Sequence, residues 1–216
     1  MPHTRITPPE LRPLAPHELP AAAVLLAEAM RDNPLHLRVF GADPARREQR
    51  LQRFFGPLMH FVHANGAVYA AVVDGKTVGV FGMIEPGRCR PAWPARLRLA
   101  VAFAARQPPA CAWRIGRWLA AWKRNDPPQP HWHLGPLAVR PDWRRRGIGR
   151  RMMLHGCQRL DALGATSCLE TDLPINVAFY ETLGFTVHRH DTVLDVPNWF
   201  MSRPPQPPGP PPTGYG

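Results

Sequence analysis

The densest run of chemistry-bearing residues is Arg144-Arg-Arg-Gly147-Ile-Gly149-Arg-Arg151. Glycines at the mouth of a helix let unpaired backbone N–H groups come close to an anion, and the positive end of the helix dipole adds to the attraction. Arg144, Arg145, Arg146, Arg150 and Arg151 surround those amides with charge that does not titrate away. The chemistry indicated is a grip on a phosphate or diphosphate. The spacing is not that of the dinucleotide fingerprint, which needs one more leading glycine, nor that of a P-loop, which ends in Gly-Lys-Ser/Thr. A basic solvated turn capping a helix would use the same residues, so the loop needs support from elsewhere in the chain.

The flanking elements must hold the loop in place. Leu134, Leu137 and Val139 suit a buried strand, and Gly135-Pro136 predicts a bulge or broken pairing within it, because proline cannot donate to a ladder. After Pro141 the period changes: Ile148, Met152, Met153, Cys157, Leu160 and Leu163 fall on one face of a helix that Gly164 can terminate. Further on, Leu169 to Phe185 reads as a strand, then a short helix opened at Pro174 to Asn176 and closed at Gly184. Another strand follows over Phe185 to His188.

Two patterns, Leu-x-Val-x-Pro-x-x-Arg-x-x-Gly-x-Gly over 137–149 and Asn-x-x-Phe-Tyr-x-x-x-Gly-Phe over 176–185, occur in this order. Together they resemble the GNAT superfamily of acyl-CoA-dependent N-acyltransferases. Within it, Leu169-Glu-Thr, the run from Asn176 to Val187 and the ending Trp199-Phe-Met-Ser-Arg-Pro look most like puromycin N-acetyltransferase and its bacterial relatives. The resemblance is firm over 130–203, looser over 11–85 and poor between.

It implies an α/β (α+β) fold: a mixed, mostly antiparallel sheet of about seven strands, split by the coenzyme A site, with helices on both faces. It implies acetyl-CoA as co-substrate and no metal. The diphosphate would rest on the loop of Arg144, Arg145, Arg146, Gly147, Ile148, Gly149 and Arg150. The pantetheine arm would lie along Leu137, Ala138 and Val139, where their strand splays from the one at Ser167 to Thr171. Tyr180 would face the thioester sulfur and protonate the leaving thiolate; a core aromatic is its plain alternative. Asn176 would contact the arm or diphosphate, or serve as a helix N-cap. Many members carry a glutamate four residues before the leucine that is here Leu137, and His133 stands there. A histidine with an ordinary pKa near 6.5 can take a proton at neutral pH, and His131 or Glu170 could serve instead.

The rest of the chain reads as follows. Residues 1–10 form a flexible N-terminal arm and 11–203 the acetyltransferase domain, with a helical insertion over 86–130; 204–216 form a disordered, proline-rich tail. Leu11 to Leu14 is a short first strand, followed by a helix from His17 that stops at Asp32-Asn33-Pro34. By the resemblance this region lines the acceptor pocket, with Asn33, His36 and Phe40 as candidates; turn chemistry and an amphipathic face are the plainer explanation of them. A helix from Asp43-Pro44 carries Leu51, Phe54, Phe55, Leu58, Met59 and Val62, and a hairpin runs from Ala67 to Ile84 through Asp74-Gly75. In the insertion, Trp93, Trp113, Trp118 and Trp122 interleave with Arg96, Arg98, Arg114 and Arg117, which fits a packed helical hairpin, a lid over the acceptor, or a nucleic-acid contact.

The formal net charge of +11 fits a polyanionic cofactor, an anionic surface or nucleic acid. Cys89, Cys111, Cys157 and Cys168 lack metal-ligand spacing and read as reduced thiols. No apolar run of about 18 residues and no signal pattern is present, so a cytoplasmic protein without membrane partner is expected. The expected function is transfer of an acetyl group from acetyl-CoA to a primary amine of a small molecule by direct attack, in a monomer or homodimer with no specific nucleic-acid partner. A non-catalytic acyl-CoA sensor and a basic polyanion-binding module are the alternatives.

Overall fold

The computed structural model describes residues 8–89 and 93–207. One seven-stranded sheet organises them, with β1 Glu10–Pro13, β2 Gly66–Val73, β3 Lys76–Ile84, β4 Trp132–Val139, β5 Ser167–Thr171, β6 Thr186–Val193 and β7 Val196–Arg203. Their order is β1-β2-β3-β4-β5-β7-β6. All neighbours are antiparallel except β4 and β5.

The helices are α1 Leu19–Met30, α2 Pro34–Phe40, α3 Pro44–Ala64, α4 Trp93–Ala104, α5 Pro109–Asn125, α6 Ile148–Ala162 and α7 Pro174–Glu181. Proline sits in the first turn of α1, α2, α3, α5 and α7, where its missing N–H would have had no intrahelical partner. Pro34 thus starts α2 instead of prolonging a stop after α1.

Strand alternation divides the core into two layers. Along β2, Val68, Ala70 and Val72 pack with α1, α2, α3 and α5, while Tyr69, Ala71 and Val73 pack with α6. The apolar face expected for α6 is buried at Ile148, Met152, Met153, Cys157 and Leu160. Leu163 departs from it: it is 59 % exposed, because it lies past the last helical turn, just before Gly164 turns the chain at φ +60°.

The interruption predicted in β4 is present. The β3–β4 register slips between Phe81 and Met83, opposite Gly135-Pro136, and Leu134 and Leu137 both join the α6-side layer although they are an odd number of positions apart. Gly82 is required at this crossing, since a Cβ there would sit 2.7 Å from the Gly135 carbonyl oxygen. The parallel β4–β5 pairing covers only Trp132 with Ser167 and His133 with Cys168; beyond it the strands diverge.

At the start of the described chain Pro9 is buried and Glu10 already belongs to β1, and residues 1–7 lie outside the described residues. At the other end the Gln206 N–H donates to Asp161 at 2.8 Å. The tail over 208–216 also lies outside the described residues. The insertion is a helical hairpin, α4 and α5, whose Trp118 and Phe103 stack on Phe54 of α3 at 5.2 and 4.8 Å between centroids.

Candidate active site

Where β4 and β5 part, a cavity of about 490 Å³ opens between the two core layers. Sheet register determines which side chains meet there. His133 pairs with Cys168, and Glu170, two residues on, shares the face of Cys168. His133 Nε2 therefore lies 3.3 Å from Glu170 Oε1, both lining the cavity. Burial pulls the His133 pKa down, but the Glu170 charge, its hydrogen bond and Asp126 outweigh that, and the net direction is upward.

Tyr180 of α7 lines the same cavity at 8 % exposure. Burial, with Glu170 adding to it, raises its hydroxyl pKa above the ordinary value of 10, so the group keeps its proton throughout the neutral range. Leu137, Ala138, Val139, Arg144 and Asn176 also line this space. Asn176 is the third residue of α7 and not its cap: Leu173 occupies the N-cap position, and Asn176 Nδ2 donates to Thr171 Oγ1 at 3.2 Å. His131 is turned elsewhere, with Nε2 2.9 Å from Asp126 and Nδ1 donating to the Gln129 carbonyl at 2.7 Å.

The arginine–glycine loop precedes α6. Arg145 and Gly147 both adopt left-handed backbone, at φ +60° and +74°, which turns successive N–H groups toward one side. The first intrahelical bond is Arg151 N–H to the Gly147 carbonyl at 2.9 Å, so the amides of Ile148, Gly149 and Arg150 are the orphan donors of the helix start. A separate cleft of about 400 Å³ borders the loop, lined by Arg145, Arg146, Gly147, Ile148 and Arg151 with Pro8, Pro9 and Val73.

The arginines divide their work more than the sequence indicates. The Arg144 guanidinium donates to the Ala29 carbonyl and clamps the end of α1 to the loop. Arg146 lies over the Trp143 ring at 4.6 Å, and Arg150 donates to Thr182 Oγ1 at 2.8 Å. Gly149 and Arg150 line neither cavity.

Of the acceptor-side candidates, Asn33 and His36 line the large cavity, whereas Phe40 is fully buried behind it. His36 Nδ1 donates to the Met30 carbonyl at 2.7 Å, and burial pushes its pKa down. Sequence reasoning passed over Asp172, which accepts the Leu35 N–H at 2.7 Å, and Asn198 of β7, both lining the cavity. The Thr171-Asp172 step after a strand was a visible signal for the first; nothing in the local sequence marks Asn198. Trp118 and Trp122 belong to this cavity too, so the insertion is both a packed hairpin and a wall of the site. Cys157 and Cys168 are buried, with burial raising both thiols, Cys168 to about 12.

The sheet splits over a cavity between β4 and β5, and the orphan amides at the start of α6 border a cleft of their own that suits an anionic group. A model of the Acetyltransferase (GNAT) family matches residues 33–185, and the chain belongs to that family. It is an acyltransferase of a family that uses acetyl-CoA.

Solved structures agree on the fold. The structure of "histone acetyltransferase HPA2 and related acetyltransferase" from Corynebacterium glutamicum is similar at a TM-score of 0.71 and 23 % identity, over 94 % of this chain and 99 % of that one. A Drosophila melanogaster polyamine N-acetyltransferase that forms N-acetylagmatine reaches 0.58 at 17 %, over 91 % and 99 %. The Thermoplasma acidophilum PaiA N-acetyltransferase, solved with coenzyme A, reaches 0.57 at 12 %, over 92 % and 99 %.

Proposed function

We propose that this chain transfers an acetyl group from acetyl-CoA to a primary amine of a small molecule, by direct attack within a ternary complex. The observation that carries the reading is the His133–Glu170 pair, 3.3 Å apart, lining one cavity with Tyr180 where β4 and β5 separate. Bound there, acetyl-CoA would supply an activated thioester. The loop amides of Ile148 to Arg150 would hold its diphosphate, and Leu137 to Val139 would align its arm as an added strand.

His133, once neutral, accepts the proton that the amine loses as its nitrogen bonds to the carbonyl carbon, and Glu170 orients the ring and stabilises the imidazolium. The C–S bond then breaks, and Tyr180 donates a hydrogen bond to the sulfur as charge develops. An ordinary thiol pKa of about 8.5 lies well below that of this tyrosine, so complete proton transfer from Tyr180 to a free thiolate would run uphill. Stabilising the developing charge is the better-supported role. The puromycin-like segments support an acceptor of drug or metabolite size.

The test is thiol release from acetyl-CoA over a panel of puromycin, agmatine, spermidine, tyramine and peptide N-termini. Amine-dependent release is expected. Acetyl-CoA binding without release for any amine would overturn the reading in favour of a sensor domain.

A further inference from the structure

The chain places its positive charge unevenly. Between Pro86 and Asn125 fall nine of the 27 basic residues and none of the 16 acidic ones, so this stretch accounts for nine of the net eleven positive charges. It forms the hairpin of α4 and α5, whose inner side is satisfied: Leu99 and Phe103 of α4 pack into the core, as do Cys111, Ile115 and Trp118 of α5. The outer side is not. Trp93, Leu97 and Val101, four residues apart, stand exposed along the face of α4 opposite Leu99 and Phe103. On α5, Trp113 stands exposed away from Ile115 and Trp118, with the Arg117 guanidinium over its ring at 5.4 Å.

All seven tryptophans lie among the described residues, and only Trp93 and Trp113 are exposed, at 70 % and 60 %. Packing accounts for Trp118, which stacks on Phe54, and for neither of these. An exposed apolar stripe flanked by charge of one sign calls for a partner with a negative surface and an apolar interior. A second copy of this chain would bring the same positive charge against it, and residues 1–7 and 208–216 carry no acidic side chain with which to cover it. A nucleic acid would meet the arginines, but Leu97 and Val101 match neither a phosphate nor a stacked base. An anionic bilayer meets both demands. Its headgroups suit Arg98, Arg106, Arg117, Lys123 and Arg124, all exposed, and its interfacial layer suits the tryptophans and the aliphatic stripe.

We propose that the outer face of the α4–α5 hairpin is a docking surface for an anionic lipid bilayer. No helix among the described residues is long and apolar enough to cross a membrane, so the contact is peripheral. In it α4 lies along the headgroup layer with Trp93, Leu97 and Val101 directed into it. This departs from the expectation of no membrane partner, which rested on the lack of a spanning segment; a surface helix needs none. α5 serves two surfaces, since Trp118 and Trp122 wall the cavity between β4 and β5 while Trp113 and Arg117 face outward. The inference stands apart from the acetyl-transfer reading.

The test is co-flotation of the full chain, with and without acetyl-CoA, on vesicles of phosphatidylcholine alone and of equal parts phosphatidylcholine and phosphatidylglycerol. Binding at least about tenfold stronger to the anionic vesicles is expected, together with quenching of tryptophan emission by lipids brominated on the acyl chain. Trp93→Ala combined with Trp113→Ala, both exposed and outside the core, should weaken vesicle binding about tenfold and remove most of the quenching, with the melting temperature unchanged. Should that pair fold poorly, Arg98→Gln with Arg117→Gln should lower binding to the anionic vesicles severalfold and flatten its salt dependence. Equal binding to both vesicles, or binding that the tryptophan pair leaves unchanged, would overturn the proposal. So would binding that acetyl-CoA abolishes, which would assign the contact to the arginine–glycine loop. Tighter binding of polyuridine than of the anionic vesicles, lost in the same variants, would overturn it in favour of a nucleic-acid surface.

Discussion

Tyr180 and the His133–Glu170 pair make separable demands on the kinetics. Tyr180→Phe deletes the hydroxyl and keeps the ring packed between Phe179 and Phe185, so a fall in kcat of about 10²-fold or more is expected with unchanged acetyl-CoA affinity; steady-state kinetics beside a thermal-shift titration measures both. The pH profile tests the base. With its pKa raised, His133 is protonated into the neutral range, and the rate should climb as pH rises through that value. Glu170→Gln removes the larger of the charges that raise it and leaves burial, which lowers it, against Asp126 alone, so the acidic limb should move to lower pH while activity persists on the alkaline side. Loss of activity at every pH would make Glu170 the base itself. Both residues stood among the candidates in the sequence, but their partnership did not. It depends on pairing between residues more than 30 positions apart in the chain.

The helix start at α6 was the most legible element. Glycine position, the apolar period of Met152, Met153, Cys157 and Leu160, and the closing Gly164 are all local signals. The division of labour among the arginines was not legible, because Arg144 finds the Ala29 carbonyl only through tertiary packing, and Arg150 finds Thr182 in the same way. At this element the informative change is at Gly147. Its φ of +74° disfavours most side chains, yet asparagine and aspartate both tolerate that region. Gly147→Asn is therefore expected to keep most of the stabilisation by acetyl-CoA, and Gly147→Asp to lose it by setting a carboxylate against the diphosphate. Differential scanning fluorimetry with and without acetyl-CoA reads the contrast, and equal shifts in both variants would remove the loop from the site.

Across the whole molecule, acid should undo the fold in a definite window. Glu18 is held at about 2 by Arg12 and the Ala15 N–H, and Asp32, Asp161 and Asp191 are lowered by Arg47, Arg203 and Asn125 respectively. Carboxylates with depressed folded pKa values contribute stability above their ordinary values of 4.5 and 3.8, lost as pH falls through the folded ones. Nearer 6.5 the histidines oppose one another, since His131 and His133 are raised while His36 and His188 are lowered. Thermal denaturation from pH 7 to 2 should accordingly show a shallow change down to about 4.5 and a steep loss below. Fold class was readable through the family resemblance carried by the motifs at 137–149 and 176–185. The shape of the cavity was not, since its wall is assembled from α2, α5 and β7, elements far apart in sequence whose contact no local pattern encodes.

The position of β7 carries a cost during synthesis. The last of the described strands must slot between β5 and β6, both made before it. Until then the nascent sheet ends in an unsealed margin at β5, open to pairing with other chains. A chain in which β7 has not yet docked would be the form most exposed to aggregation.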